Sequence, residues 1–335
     1  MKLAIKKDRK KTEQEKVAER REEVLATGRK FKYPLQWTRH RIIINTVLIS
    51  LVVIATVFIS IWLALYKFNM TDDILFRITR IFPVSVASID SKNVSFSDYL
   101  MFYRSSITSI ERQSGNQFDQ ESLTNLRNEY KRLALNEAED YTYALKLAAE
   151  LGVTVSKEEI KTEFERHLKI GGIDRSEDGF LKIINDNFGL GKSEYERMLY
   201  LTLTKAKVEA LIDEKANNIA TKVEKQLSEN GGNFKAVADS LGDAIIYEDT
   251  GGLVDNKNID GGRATEAAKL EAGKISKRFI STNGDGYYFV KLIAKTDTEV
   301  NFVSIKIPFT EFSKRVAELR NEEKIAEFIK IELGE

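Results

Sequence analysis

An uncharged run of 25 residues, from Ile42 to Tyr66, constrains this chain more than any other feature of its sequence. The run is apolar on all sides, whereas a buried helix of a globular protein normally keeps a polar stripe. At a rise of about 1.5 Å per residue, a helix of this length crosses the hydrocarbon core of a bilayer. Trp37 before the run, and Trp62 and Tyr66 near its end, suit the two headgroup belts. We therefore expect a membrane-spanning helix over residues 42–66.

The charges on either side of this run predict its orientation. Residues 1–41 hold fourteen Lys or Arg against six Asp or Glu, whereas only Lys67 follows the run before Asp72 and Asp73. Basic flanks favour the cytoplasmic side, so we expect a cytoplasmic tail over 1–41 and the bulk of the chain on the extracytoplasmic side of the cell membrane. A cleaved signal peptide is the alternative, but the charged leader and the apolar core are long for one, and no A-x-A site follows.

The composition excludes several kinds of chemistry. Residues 68–335 carry a net charge of −8, which does not suit a nucleic-acid surface, and the basic tail is expected to face anionic lipid instead. The chain has no cysteine, so disulfides, Fe–S clusters and Cys-zinc sites are excluded. Its only histidines are His40 and His167, which argues against a His-based triad or a multi-histidine metal site. We expect no cofactor and no metal, and we expect His167 to be a surface residue.

The amino-terminal half of the outer part is predicted to be mainly helical. Glu121 to Glu150 contains no Gly or Pro and carries apolar residues, Leu133 among them, near helical spacing, which predicts one long amphipathic helix. Before it, short strands are expected at 84–89 and 94–96, and Glu111 to Gln120 is expected to be a loop. Capping boxes such as Ser156-Lys-Glu-Glu159 begin the helices that follow.

The carboxyl-terminal half changes character and brings in strands. Lys277–Ile280 and Tyr287–Ile293 are predicted to pair across the Asn-Gly-Asp-Gly turn at 283–286. Asn301–Ile307 is predicted as a third strand, and Phe312–Ile331 as a closing amphipathic helix. Short strands mixed with helices, without a repeating βαβ unit, indicate an α+β fold.

Three segments follow one another in an order that is typical of one family. They are VASIDSKNVSFSDYL, the long helix ending in LAAELGVTVSKEEIKTEFERHL, and GFLKIINDNFGLGKSEYERMLYLTLTKAKVEALI. In this order, residues 84–211 resemble the SurA-type amino-terminal domain of extracytoplasmic chaperone-foldases. The resemblance implies a mostly α-helical chaperone domain over residues 84–215.

A second resemblance follows directly along the chain. The segments NFKAVADSLGD, DTGGLVD and EAAKLEAGKISKRFISTNGDGYYFVKLIAKT resemble parts of a parvulin-type rotamase domain. The resemblance implies a small α+β domain over 216–297 of the peptidyl-prolyl isomerase class. Membrane-anchored members of this class of foldases share the anchor-first order of parts.

The sequence departs from the parvulin pattern at the residues that the family uses for catalysis. The opening strand with His-Ile-Leu is missing, and Tyr288 stands where the family has its second histidine. Asp243 matches the acidic or thiol position of the family. The proline-gripping positions match Ile259 and Arg263, of which only Ile259 is apolar. The resemblance therefore implies a degenerate domain with no assigned catalytic residue.

Residues 298–335 leave two arrangements open. The strand VNFVSIKI resembles the missing opening strand in pattern, so it can complete the parvulin-like sheet. We favour the other arrangement, in which the strand and the final helix pack back on the chaperone domain.

Two short motifs suggest ligands and are set aside. GLGKS at 189–193 resembles the end of a phosphate-binding loop, but Asp186 stands where the motif needs its first glycine, and no strand precedes it. Residues 256–260 hint at a calcium loop, but Ala267 occupies the position of the bidentate acid. We expect a turn between helices at the first and a solvated turn at the second.

These observations favour an ATP-independent, membrane-anchored chaperone or foldase that binds extended apolar segments of exported proteins. Its expected partners are unfolded or newly translocated proteins, membrane lipid and the translocon. The candidate client-binding residues are Ile259, Tyr99, Phe102, Tyr103, Tyr130 and Tyr141, although simple core packing is the alternative for these tyrosines and Phe102. Two other functions stay open: an active parvulin-type isomerase, and an envelope scaffold with one fixed partner.

Overall fold

The computed structural model describes the backbone of residues 12–114 and 120–332, and the side chains of residues 12–28, 40–112 and 121–332. The chain forms two compact units that divide between Ala64 and Leu65. The first unit is mainly one helix, and the second combines helices with two antiparallel sheets. The expected α+β class with an apolar amino-terminal helix is confirmed.

The first unit consists of helix α1, Glu13–Trp62. A capping box begins it, in which the Thr12 backbone N–H donates to Glu15 Oε2 over 3.0 Å. The stretch His40–Lys67 is long and apolar enough to cross a membrane, which agrees with the predicted span. One turn of π-helix, Leu63–Lys67, follows α1. The side chain of Trp37 and the start of the tail, residues 1–11, lie outside the described residues.

The helical lobe of the second unit comprises residues 65–212. Its elements are α2 (Asp73–Ile81), β1 (Ser85–Ile89), β2 (Lys92–Ser95), α3 (Phe96–Ser114), α4 (Gln120–Leu151), α5 (Lys157–Leu168), α6 (Glu177–Phe188) and α7 (Lys192–Ile212). The long helix predicted from Glu121 is confirmed as α4. The Ser156 side chain accepts from the Glu159 backbone N–H at the start of α5, as the capping box predicts.

The strand-rich lobe comprises residues 214–308. Its elements are α8 (Glu214–Glu229), α9 (Phe234–Leu241), β3 (Ile246–Asp249), β4 (Val254–Asp255), α10 (Arg263–Ala268), β5 (Phe279–Ile280), β6 (Gly286–Lys295) and β7 (Glu299–Pro308). The strands form one antiparallel sheet of order β3-β7-β6-β5, and β4 also pairs with β7. The predicted pairing across the turn at 283–286 is confirmed, because Ile280 lies opposite Tyr287.

The sheet separates two apolar cores. On one face, α8 and α9 bury Val223 and Phe234 against Phe289 and Ile305. On the other face, α10 packs onto a smaller cluster of buried residues: Ala264, Ala267, Val290, Leu292, Val300 and Phe302. Alternating strand side chains supply both clusters, which is why β6 and β7 are apolar along nearly their whole length.

The last segment divides between the two lobes, which corrects our expectation for the strand of residues 298–335 and agrees with it for the helix. β7 does not pack back on the helical lobe but lies between β3 and β6 in the strand-rich lobe. After it come α11 (Glu311–Asn321), which packs on α7, and β8 (Ile325–Glu327), which pairs with β1. The predicted single helix over Phe312–Ile331 is therefore wrong at its end. Glu323 adopts a positive φ of 55° and breaks the helix, and pairing with the edge of β1 replaces helical hydrogen bonds.

Asp213, which lies between α7 and α8, connects the two lobes to the start of α11. Its side chain is almost fully buried and accepts hydrogen bonds from the backbone N–H groups of Ala216, Thr310 and Glu311. One carboxylate thereby satisfies N–H groups at the amino-terminal ends of both α8 and α11.

Two further local expectations are wrong. Glu111 to Ser114 continue α3 and are not loop, because Glu111 pairs with Arg127 of α4 over 2.7 Å and a polar helix face tolerates these residues. Residues 115–119 of that expected loop lie outside the described residues. Leu133 is 50% exposed, so it does not belong to the buried face of α4, whereas Leu135 is fully buried.

Candidate functional site

A cleft of about 350 Å³ opens between the two lobes, and we call it the interlobe cleft. Helices α5 and α7 form one wall, and the glycine-rich segment 258–262 with the turn at 282–283 forms the other. Tyr141 of α4 contributes from the helical side. Clefts between lobes are common positions for binding sites, because two surfaces can supply contacts to one ligand.

Two close approaches hold the walls together. The Gly171 backbone N–H donates to the Lys257 carbonyl over 3.1 Å, which connects the turn after α5 to the glycine-rich segment. Gly284 lies against α7, where a Cβ atom would come within 2.8 Å of Ala206 Cβ. Gly284 also has a φ of 73°, so a side chain there would be disfavoured by both conformation and space.

The helical wall is largely apolar. Residues three or four apart lie on one helix face, and this relation brings Met198, Leu199, Thr202 and Leu203 of α7 to the cleft together. Ile170, in the turn after α5, extends the same surface. Extended chains with aliphatic side chains are the ligands that such a surface suits, because burying their apolar area is favourable.

A compact polar group closes one end of the helical wall. Arg166 Nη2 lies 2.6 Å from Glu163 Oε1 and 2.8 Å from His167 Nε2, and His167 Nδ1 is hydrogen-bonded to the Tyr195 hydroxyl. Burial alone would raise the pKa of Glu163, but the hydrogen bonds from Arg166 and the neighbouring His167 ring lower it to about 2. The expectation that His167 is a surface residue is wrong, since only 18% of its side chain is exposed.

The glycine-rich wall presents Ile259. This side chain is 72% exposed, although its neighbour Asp260 is held in place. Asp260 accepts from the backbone N–H of Ala264 over 3.0 Å and caps α10, and burial raises the pKa of its carboxyl. A fixed backbone with an exposed isoleucine offers an apolar contact at the rim of the cleft.

The structure separates the six client-binding candidates. Ile259 and Tyr141 line the same cleft, where the Tyr141 ring stacks on Phe102 at 5.2 Å. Tyr99, Phe102 and Tyr103 are buried in the core of the helical lobe, so none of them offers an open surface. Tyr130 is half-buried on α4 and does not line the cleft.

The positions that match the parvulin pattern lie on the sheet and near it. Tyr288 of β6 is buried opposite Lys306 of β7, and its hydroxyl donates to Asp285 Oδ2 over 3.4 Å. Lys306 forms an ion pair with the same Asp285 carboxylate. Arg263 lies 5.5 Å from the centre of the Tyr288 ring and pairs with Glu248. Asp243 is exposed in the short 3₁₀ turn after α9, outside this cluster.

This cluster is charge-compensated. Burial opposes ionisation of Asp285, but hydrogen bonds from Lys306 and Ser281 hold its pKa below the usual value. Burial likewise raises the pKa of the Tyr288 hydroxyl, so the phenol stays protonated. The arrangement holds paired charges around a neutral ring and leaves no poised acid or base. Among the described residues, no group of three or more His, Asp or Glu side chains is placed to hold a metal ion.

A second depression, which we call the helical groove, lies on the helical lobe. Its volume is about 710 Å³, and Ile160, Phe164 and Leu168 of α5 with Tyr200 of α7 provide its apolar surface. Charged residues surround it: Lys157, Lys161, Glu165, Glu177, Lys192, Glu196 and Arg197. This charged rim makes it less apolar in character than the helical wall of the interlobe cleft.

Sequence reasoning missed most of the cleft. The helical spacing of Met198, Leu199 and Leu203 was visible, but such spacing is equally typical of a core face. What makes these residues a site is the opposing glycine-rich wall, and that contact connects segments more than fifty residues apart in the chain.

Comparison with known proteins gives one family. The family model described as the SurA-like N-terminal domain matches residues 35–209, which is slightly more than half of the chain. The resemblance expected over 84–211 is confirmed for this domain, and the match begins earlier, before the apolar stretch of α1. A search of curated proteins found no match.

Proposed function

The chain belongs to the family of the SurA-like N-terminal domain, and from this we propose that it is an ATP-independent, membrane-anchored chaperone. Its clients would be unfolded or newly translocated proteins on the extracytoplasmic side. The chaperone would hold extended apolar segments of these clients and would release them to fold.

One observation carries this proposal: the interlobe cleft has an apolar helical wall and an exposed apolar residue on the opposite rim. Met198, Leu203 and Ile259 can contact side chains on both sides of an extended segment. The free energy available is roughly 25 cal/mol per Å² of apolar surface buried, before the cost of association. Binding of this kind is weak for each contact and tolerant of sequence, as a holding function requires.

We propose that the strand-rich lobe, as expected for residues 216–297, is a degenerate parvulin-like domain. β7 supports this, because it supplies the sheet with a strand from outside that range. The cluster around Tyr288 supports a holding role over catalysis, since an isomerase must lower a barrier of about 18–20 kcal/mol around the X-Pro bond. Lys306 and Arg263 are already paired with Asp285 and Glu248, so neither is free to polarise the bond in a segment bound in the depression of about 310 Å³ beside them.

The apolar helix supports the anchor. We propose that residues 42–66 span the membrane with the basic tail in the cytoplasm, as the excess of Lys and Arg over 1–41 favours. The second unit would then work beside the membrane, close to where the translocon releases clients. Membrane lipid and the translocon are partners in this proposal.

The experiment compares two single substitutions in the purified second unit, residues 65–335. Ile259→Asp places a charge at the rim of the cleft, and we expect it to weaken binding of a fluorescent, unfolded apolar peptide about tenfold, which corresponds to about 1.4 kcal/mol. Leu253→Asp is the matched control, because Leu253 is also exposed in a loop of the same lobe but does not line the cleft. We expect the control to bind the peptide as the unmodified protein does.

The outcomes separate the sites. Equal binding by both variants and the unmodified protein would remove the interlobe cleft from the proposal. A third variant, Ile160→Asp, tests the helical groove, and loss of binding in this variant alone would assign the client to the groove instead. Binding to one folded protein but to no unfolded peptide would favour a scaffold with one fixed partner.

A further inference from the structure

A group of exposed apolar side chains follows the candidate span directly. We call it the juxtamembrane patch and define it as Phe68, Met70, Ile74 and Ile81, which are 66%, 45%, 71% and 72% exposed. Isolated exposed apolar residues are normal, but four within fourteen residues are not explained by chance exposure. Such a concentration needs a partner surface.

The apolar face of helix α2 is wide, and only part of it is buried. Leu75, Phe76 and Thr79 are buried and pack on the helical lobe. Ile74 and Ile81 lie two turns apart and therefore share one face of the helix, which points away from that core. A helix that only covered the lobe would have polar residues at these two positions.

The folded lobe begins inside the candidate span, without a linker. The candidate span extends to Lys67, yet Leu65 is only 1% exposed in the core of the second unit. The Tyr66 hydroxyl donates to the Ser85 carbonyl over 2.7 Å, and its ring meets the Phe96 ring edge-on at 5.6 Å. The chain is thus fixed to the lobe at the same residues where it would leave the bilayer.

This connection limits how far the patch can lie from the membrane. Ile74 is seven residues beyond Lys67, and a chain spans at most about 3.5 Å per residue, so the distance between them is under about 25 Å. Phe68 is the next residue after Lys67. When the span is inserted, the patch therefore stays within this distance of the end of the span.

We propose that the juxtamembrane patch lies in the headgroup region of the bilayer and holds the helical lobe against the membrane surface. The inference rests on the proposed anchor. An amphipathic helix lying in the interface buries its apolar face by about 5–10 Å, which the side chains of Ile74 and Ile81 can do while α2 stays packed on the lobe.

One charge near the patch suits lipid. Arg77 lies between Ile74 and Ile81 on the exposed side of α2. A long basic side chain can keep its stem in the apolar layer and extend its guanidinium to lipid phosphate. Arg80 is instead held to the lobe, because it forms an ion pair with Glu194 over 3.0 Å.

The test uses the full chain, which has no cysteine, reconstituted into lipid vesicles. Ile74→Cys carries an environment-sensitive fluorophore, and Ile293→Cys is the matched control, because Ile293 is 47% exposed on β6 of the strand-rich lobe. We expect loss of fluorescence at position 74 when the lipids carry a nitroxide quencher near the headgroup. Iodide in the water should quench the control label and leave the label at position 74 largely unaffected.

The outcomes distinguish this inference from the anchor. Extraction with alkaline carbonate shows in the same sample whether the chain is inserted. An inserted chain whose label at position 74 is quenched by iodide and not by lipid overturns the patch and leaves the anchor intact; a protein would then be the occupant. Extraction of the chain by carbonate would contradict both the proposed anchor and the proposed position of the patch. Equal lipid quenching at 74 and 293 would contradict a specific orientation.

Discussion

At the scale of single residues, Glu139 is the clearest departure from ordinary behaviour. It is fully buried on α4, where one oxygen lies 3.0 Å from Arg320 of α11 and the other has no hydrogen-bond partner among the described residues. Burial and the nearby Glu327 carboxylate raise its pKa to about 7, although Arg320 and Arg132 oppose the shift. A carboxyl group in this position favours the folded state most when it is protonated.

The pH dependence of stability follows from this shift. Because the folded pKa lies above the ordinary value of 4.5, the folded state binds the proton more tightly than the unfolded state. This contribution, roughly 3 kcal/mol at most, is fully present below about pH 4.5 and is lost as the pH rises to about 7. We expect Glu139→Gln to remove most of this loss in melting temperatures of the second unit taken between about pH 5 and pH 8.

The matched control is Glu129→Gln, since Glu129 is exposed on the same helix. It should keep the pH dependence of the unmodified protein. Part of the slope should persist in Glu139→Gln, because burial also raises the pKa of Glu209 to about 7. Identical slopes for Glu139→Gln and the unmodified protein would show that the buried carboxyl is not coupled to folding.

The burial and the binding roles of single residues were also the hardest features to predict from the sequence. Tyr99, Phe102 and Tyr103 have the composition of a binding surface, and only packing against neighbouring helices shows that they are core. Ile259 and Tyr141 were among the candidates, but the sequence could not indicate that they share one cleft. Burial depends on contacts between distant segments, which a local pattern does not contain.

At the scale of elements, α4 shows both the strength and the limit of a periodic pattern. Its existence and its ends follow from the absence of Gly and Pro and from the spacing of its apolar residues. Its buried face could not be predicted from the same pattern. Leu133 and Leu135 are equally apolar, yet only Leu135 faces the core. A helix that several elements surround has more than one apolar side.

The two leucines form an internal control. We expect Leu135→Ala to destabilise the second unit by about 2–5 kcal/mol, because it leaves a cavity in a fully buried position. Leu133→Ala should cost about 0.5 kcal/mol or less, because half of its side chain already faces solvent. Urea unfolding followed by circular dichroism measures both, and similar midpoints for the two variants would contradict the assigned face.

The proposed spanning helix is tested with a substitution inside the apolar run and a control substitution outside it. Val53→Arg places a charge near the centre of residues 42–66 and should cost about 2.5–3.5 kcal/mol of insertion free energy, which lowers the amount of protein in the membrane fraction. Val24→Arg, on the same α1 helix but outside the run, should leave that amount unchanged. An unchanged yield of the Val53 variant would show that the helix does not cross the membrane.

The terminal elements show why topology was harder to predict than secondary structure. The strand at β7 was recognised from its pattern, yet both of its expected arrangements were compatible with that pattern. β8 was missed, because Ile325–Glu327 becomes a strand only through pairing with β1. Helix α2 was also missed, because its nine residues are fewer than the window over which helical periodicity is recognised.

At the scale of the whole molecule, we propose that the second unit holds unfolded chains without isomerising proline. One experiment distinguishes holding from isomerisation. It follows the refolding of an aggregation-prone client whose slow phase is limited by proline isomerisation. That phase takes tens of seconds or longer at 25 °C without catalysis. A holding protein changes how much client stays soluble, whereas an isomerase changes how fast the slow phase proceeds.

The most direct measurement is therefore this refolding reaction with and without the purified second unit, recording the soluble yield and the slow-phase rate in the same sample. We predict a higher yield with an unchanged rate, because the interlobe cleft offers apolar contacts while the charged groups around Tyr288 are already paired with one another. An unchanged yield would contradict the holding function, and an accelerated slow phase would show that the strand-rich lobe is a working isomerase.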